Sequence, residues 1–145
     1  TGLAQVRCFL NEQGVPASTI KEILSIMQGI SYKDGHNPVK LSLAGQIVQD
    51  ADRLDAIGAI GVARTMAYSG NKGRLIHDPA MKSRENITLE DYRNGEDTAI
   101  MHFYEKLLKL KDLMNTAEGK RLAQGRHQFM LNYLEQFDAE WDGEK

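Results

Sequence analysis

Apolar residues recur at spacings of three and four along most of the chain, and no segment shows convincing two-residue alternation. The first pattern marks amphipathic helices and the second would mark half-buried strands. The chain is therefore expected to be all-α. Leu3, Val6, Phe9 and Leu10 open a first helix that runs to about Gln13, and Gly14 suits the residue that ends it. Pro16 fits the first turn of a second helix, whose stripe is Ile20, Ile23, Leu24, Met27 and Ile30. The segment 31–38, which holds Gly35, His36 and Pro38, is a turn by composition.

A long helix is expected from about Ser42 to Tyr68, with Leu43, Ile47, Ala51, Leu54, Gly58 and Gly61 on one side. Two interior glycines cost such a helix about 1 kcal/mol each relative to Ala. Their return would be close approach of a neighbouring helix or a ligand. From Ser69 to about Glu96 periodicity is lost, apart from a short turn near 88–92. A connection that long is functional or disordered in most compact domains. Asp97 or Thr98 can cap the next helix, with Ile100, Phe103, Tyr104, Leu107, Leu108 and Leu110 on its apolar face. Asn115 or Thr116 opens the last one, with Glu118 in its first turn. Leu122, Phe129, Met130, Tyr133, Leu134 and Phe137 carry that helix into the core.

A length of 145 residues suits one helical domain with a real core. A net charge of −2 argues against binding a nucleic acid polymer or a membrane through bulk charge, and leaves room for a local phosphate pocket. Cys8 is the only cysteine; it reads as a small buried side chain, and one thiol without a disulfide fits the cytoplasm. The end from Trp141 to Lys145 reads as a frayed terminus.

The segment that bears on function is Ile47–Gly61. It sets Asp50, Asp52, Arg53 and Asp55 into a largely apolar helix. Buried charges are costly unless paired or metal-bound. The cluster is thus either a structural ion-pair network with Arg53 or Arg64, or a metal or catalytic site. On a regular helix Asp50 and Asp52 point about 160° apart and do not share one ion. Asp52 and Asp55 share a face, as do Asp50 and Arg53, a natural structural pair.

The run Asp50-Ala51-Asp52-Arg53-Leu54-Asp55-Ala56-Ile57-Gly58-Ala59-Ile60-Gly61-Val62-Ala63-Arg64 resembles the signature of a bacterial HD-domain phosphohydrolase family. The resemblance continues through Ala67-Tyr68-Ser69-Gly70, the Lys72-Gly73-Arg74 loop, the run from His102 to Lys111, and Met114-Asn115-Thr116. It implies an HD-domain-like helical bundle that hydrolyses nucleotides or other small phosphorylated compounds, within a subset that includes nucleotide pyrophosphohydrolases. It further implies a divalent ion, Mn²⁺ or Mg²⁺, held by a His, a His-Asp pair and a distant Asp. By resemblance the distant Asp is Asp52, with Asp50 as the alternative. Asp55 would orient water or a ligand of the ion. On the residues themselves, Lys72 and Arg74 either close on a substrate phosphate or form a solvated basic loop, and Arg64 either contacts phosphate or neutralises a buried Asp.

The chain departs from that pattern. The first His and the His-Asp pair should precede Asp50, where only His36 stands. The one His-Asp dipeptide, His77-Asp78, follows Asp52 and runs into Pro79, so it reads as coincidence. The expectation is the C-terminal, larger part of an HD-domain protein. The alternatives are a degenerate helical module that binds a nucleotide or a protein, or an assembly in which another chain completes the site. His102 reads as a structural histidine, His127 as part of a helix face, and Lys106, Lys109 and Lys111 as a solvated face.

Overall fold

The computed structural model describes residues 2–30, 40–81 and 97–144. The turns expected at 31–38, with His36, and at 88–92 lie outside them. Six α-helices and one 3₁₀ segment are present among the described residues, and no strand. None of these helices is long and apolar enough to cross a membrane. The chain divides into two compact units, Thr1–Gln49 and Asp50–Lys145, and the boundary falls within one helix.

In the first unit α1 (Gly2–Glu12) packs on α2 (Ala17–Gly29). Gly14 has φ 70°, and the turn there returns Val15 N–H to the Leu10 carbonyl at 3.1 Å. Pro16 stands just before α2 as its cap residue. Ile20 and Leu24 are buried, while α1 buries nothing fully. Cys8 is exposed, contrary to expectation, and its thiol donates to Glu12 one turn along α1 at 3.4 Å.

The third helix, α3 (Leu43–Asp55), starts in this unit. Ser42 acts at its N-terminus: its hydroxyl accepts from Gly45 N–H at 3.3 Å and donates to Glu22 at 3.0 Å. The side of α3 that faces inward is not the apolar one. Leu43 and Ile47 are exposed, and Gln49 is buried with its amide donating to the Gly29 carbonyl at 3.0 Å.

The second unit corrects the expected long helix. α3 stops at Asp55, and α4 runs separately over Gly58–Asn71. Gly58 has φ 74°, a left-handed conformation that only glycine adopts without cost. Side chains also cap the end of α3. Arg126 donates to the Leu54 carbonyl, and Arg64 reaches the Asp55 carbonyl at 3.3 Å. Cations at a helix C-terminus match its partial negative charge. Gly61 makes the tight corner sterically feasible, since a β-carbon there would overlap the Ala56 carbonyl oxygen and lie 2.6 Å from its carbon. The close approach expected of the glycines is thus to the chain's own backbone and, at Gly58, to the Arg126 side chain.

After α4 come α5 (Ala99–Glu105), a 3₁₀ segment (Leu107–Leu113) and α6 (Ala117–Trp141). Thr98 caps α5, accepting from Met101 N–H at 3.1 Å, and the next two amides bond the Leu75 and Ile76 carbonyls. Thr116 caps α6, accepting from Gly119 N–H at 2.9 Å. The core of the unit is built from Ile57, Ile100, Phe103, Leu107, Leu110, Met130 and Leu134. Leu122 and Phe129, expected inside, are exposed. Trp141 is helical rather than frayed: its ring stacks on Phe137 at 5.9 Å.

Candidate functional site

Gly61, Arg64, Thr65 and Tyr68 lie three and four residues apart and share one face of α4. That face lines a cleft of about 590 Å³, within the size range of small-molecule sites. His102 and Lys106, four residues apart on α5 and at its end, line the other side with Leu107. Arg74 enters from the segment after α4. Gly73, at φ 65°, reverses the chain there, and Arg74 N–H bonds the Ser69 carbonyl at 2.9 Å.

The described lining thus carries three cationic side chains, Arg64, Arg74 and Lys106, and no carboxylate. Arg74 is held from two directions. Its Nε donates to Asp97 at 2.8 Å, and its guanidinium lies 5.7 Å from the centre of the Tyr68 ring. Lys72 sits over the same ring at 5.8 Å but does not line the cleft. Arg64 pairs with Asp55, both side chains being largely exposed. Exposed pairs of this kind contribute about 0–1 kcal/mol, so Arg64 can exchange its carboxylate for another anion at little cost. Burial pushes His102 down to about 4, and the positive charges of Lys106 and Arg74 push the same way against Glu105. The imidazole is therefore neutral at neutral pH and can exchange hydrogen bonds without adding charge.

Asp50 and Asp52 differ sharply. Asp50 is buried. Its Oδ1 accepts from the backbone and side-chain amides of Asn115, both at 2.8 Å. Its Oδ2 accepts from Thr116 N–H at 2.8 Å and the Thr116 hydroxyl at 2.7 Å. Burial alone would raise its pKa, but these four donors outweigh it and hold the carboxyl below the usual range. Arg53 reaches the same turn and donates to the Leu113 carbonyl. Asp52 and Asp55 are exposed on α3, and neither lines the cleft. His77 packs edge-on against Trp141 at 4.9 Å, and Asp78 accepts from Ala80 N–H, so the His-Asp dipeptide forms a turn. Among the described residues no three His, Cys, Asp or Glu side chains come together as a metal-holding group. They do not complete a metal site by themselves.

Tyr68, Ser69, His102 and Lys106 were not singled out as binding residues from sequence. The i, i+4 pairs Arg64/Tyr68 and His102/Lys106 are the signal that could have found them, although helical spacing alone does not say which face meets a cleft. Lys106 lines the cleft rather than a solvated face. Ser69 is fully buried in the cleft wall, and its hydroxyl has no hydrogen-bond partner among the described residues. An unmade bond of this kind costs about 1–3 kcal/mol. Ser69→Ala should therefore raise stability by about 1 kcal/mol in thermal or urea unfolding. A loss instead would mean that the hydroxyl is satisfied in solution.

The YpgQ protein of Bacillus subtilis (strain 168) is 37% identical over 132 residues, which is 90% of this chain and 57% of YpgQ. A solved structure from Lactobacillus plantarum has 52% identity and a TM-score of 0.83, covering 92% of this chain and 64% of that one. An HD-superfamily hydrolase from Bacillus thuringiensis has 44% identity and a TM-score of 0.73, covering 98% and 63%. The fold is HD-like. YpgQ has itself been solved in complex with ADP; that structure has 35% identity and a TM-score of 0.74, covering 95% of this chain and 61% of that one. No family model matches the chain. The chain thus spans less than two thirds of the length of each of these relatives.

Proposed function

We propose that this chain forms the larger part of an HD-domain phosphohydrolase acting on nucleotides or other small phosphorylated compounds in the cytoplasm. The observation that carries the reading is the cleft lined by three cations and no described carboxylate, a composition suited to a phosphate group. The ADP complex of YpgQ supports a nucleotide as the ligand. Arg74 is held in place by its pair with Asp97, while Arg64, whose exposed pair with Asp55 exchanges at little cost, and Lys106 are the cations that would meet phosphate.

Hydrolysis in this reading uses Mn²⁺ or Mg²⁺, which would polarise phosphate and activate water. Asp52 is the ligand it assigns to this chain. Asp50 is a poorer choice, since a carboxylate offers about four acceptor sites and four donors already occupy them. Asp55 would then sit beside the ion while paired with Arg64. The remaining ligands must come from outside the described residues. That requirement is also what favours a second reading, a helical module that binds a nucleotide without cleaving it.

Calorimetric titration with ADP, alongside Mn²⁺-dependent release of phosphate and pyrophosphate from a nucleotide panel, tests both. Arg64→Ala should weaken ADP binding about tenfold, the value of one charge-assisted contact, and leave stability nearly unchanged. Affinity should also fall as salt rises. Release that needs Mn²⁺ and vanishes in Asp52→Ala supports the hydrolase. Binding without release, persisting when the chain is extended at its N-terminus, supports the module. No binding of any phosphorylated compound overturns both.

A further inference from the structure

Tyr68 is 54% exposed although its ring lines the cleft, so the core does not account for its position. It belongs to the same face of α4 as Gly61 and Arg64. From Gly61 in the first turn to Tyr68 in the last, that face runs about 10 Å at 1.5 Å per residue. A nucleoside diphosphate, from base to terminal phosphate, has a comparable extended length. The two ends of the face differ in chemistry. The first turn carries the positive end of the helix dipole, with Arg64 one turn further along. In the last turn stands the Tyr68 ring, with Arg74 and the exposed Lys72 side chain over it at 5.7 and 5.8 Å from its centre.

We propose that Tyr68 is the platform for the base of a bound nucleotide, with the phosphates directed toward Arg64 and the start of α4. The inference rests on the nucleotide reading of the cleft and adds to it the part of the ligand that the cations do not recognise. Base–aromatic stacking tolerates any base, because every base has a π-face. Tyr68 thus favours nucleotides over inorganic or sugar phosphates without selecting among bases. A stacked base would displace the exposed Lys72 side chain from the ring, exchanging a weak exposed cation–π contact for stacking.

The test uses ADP and inorganic pyrophosphate as probes on the chain as it stands. Wild-type protein should bind ADP more tightly than pyrophosphate. Tyr68→Leu should weaken ADP about tenfold and leave pyrophosphate unchanged, while Tyr68→Phe should keep both affinities. Equal loss of both ligands, or no loss of ADP, overturns the platform and leaves the phosphate site standing. Wild-type protein that binds neither probe overturns the platform together with the reading beneath it. Tyr68→Trp gives a second readout that does not need the leucine variant to fold: its fluorescence should be quenched by ADP and not by pyrophosphate. Quenching by neither, with ADP still bound, also overturns the proposal.

Discussion

Asp50→Ala is expected to destabilise the second unit by about 3–5 kcal/mol, measured as a shift in the urea midpoint at neutral pH. Four donors converge on this one buried carboxylate, and two are backbone amides at the start of α6. Removing it leaves four donors in a part-buried turn without their acceptor; with Asn115 itself exposed, the loss stays below the sum of four fully buried bonds at about 1–3 kcal/mol each. Asp50→Asn should recover little, because its NH₂ would face donors. The sign of the pH dependence follows from the depressed pKa. The carboxylate's contribution is present in full above the unfolded value of about 3.9 and is lost as pH falls through the lower folded value. Acid unfolding of the wild type should therefore steepen below about pH 4, and that component should be missing in Asp50→Asn. A loss below about 1 kcal/mol for the alanine variant would refute this account of the site.

The second large effect is expected at Gly61. Alanine is the better helix former by about 1 kcal/mol, so Gly61→Ala would stabilise an isolated helix. In this fold its β-carbon would overlap the Ala56 carbonyl, a backbone group held in a buried corner. Overpacking against backbone typically costs about 1–3 kcal/mol and sometimes more, so a net loss of about 2 kcal/mol is expected. Gly61 also lines the cleft, and ADP affinity should fall with it. Gly70 provides the contrast on the same helix: a β-carbon there meets nothing within 4 Å. Gly70→Ala should gain up to about 1 kcal/mol, the opposite sign. Parallel urea titrations of the two variants decide the matter; like signs would show that the corner yields.

The helical class and the caps were legible because they depend on local signals. Thr98 and Thr116 cap the helices that their positions announced. The opposed directions of Asp50 and Asp52 also followed from 100° per residue. What was hidden depends on partners distant in sequence. Leu43 and Ile47 marked an inward side by hydropathy, yet the buried side holds Gln49 and Asp50, whose partners lie far along the chain. Gly58 and Gly61 were read as packing positions inside one helix, since no spacing rule tells an interior glycine from a left-handed one. Lys106 and His102 looked like surface and core because the cleft between α4 and α5 exists only in the assembled unit.

The clasp of Asp50 on Asn115 closes across 65 residues of chain. Contacts with so long a separation form late, once the intervening helices have collapsed. Its loss should accordingly appear in how fast the protein comes apart rather than in how fast it assembles. The amides of Asn115 and Thr116 would report that opening directly, since their exchange with solvent hydrogen requires α3 and the start of α6 to separate.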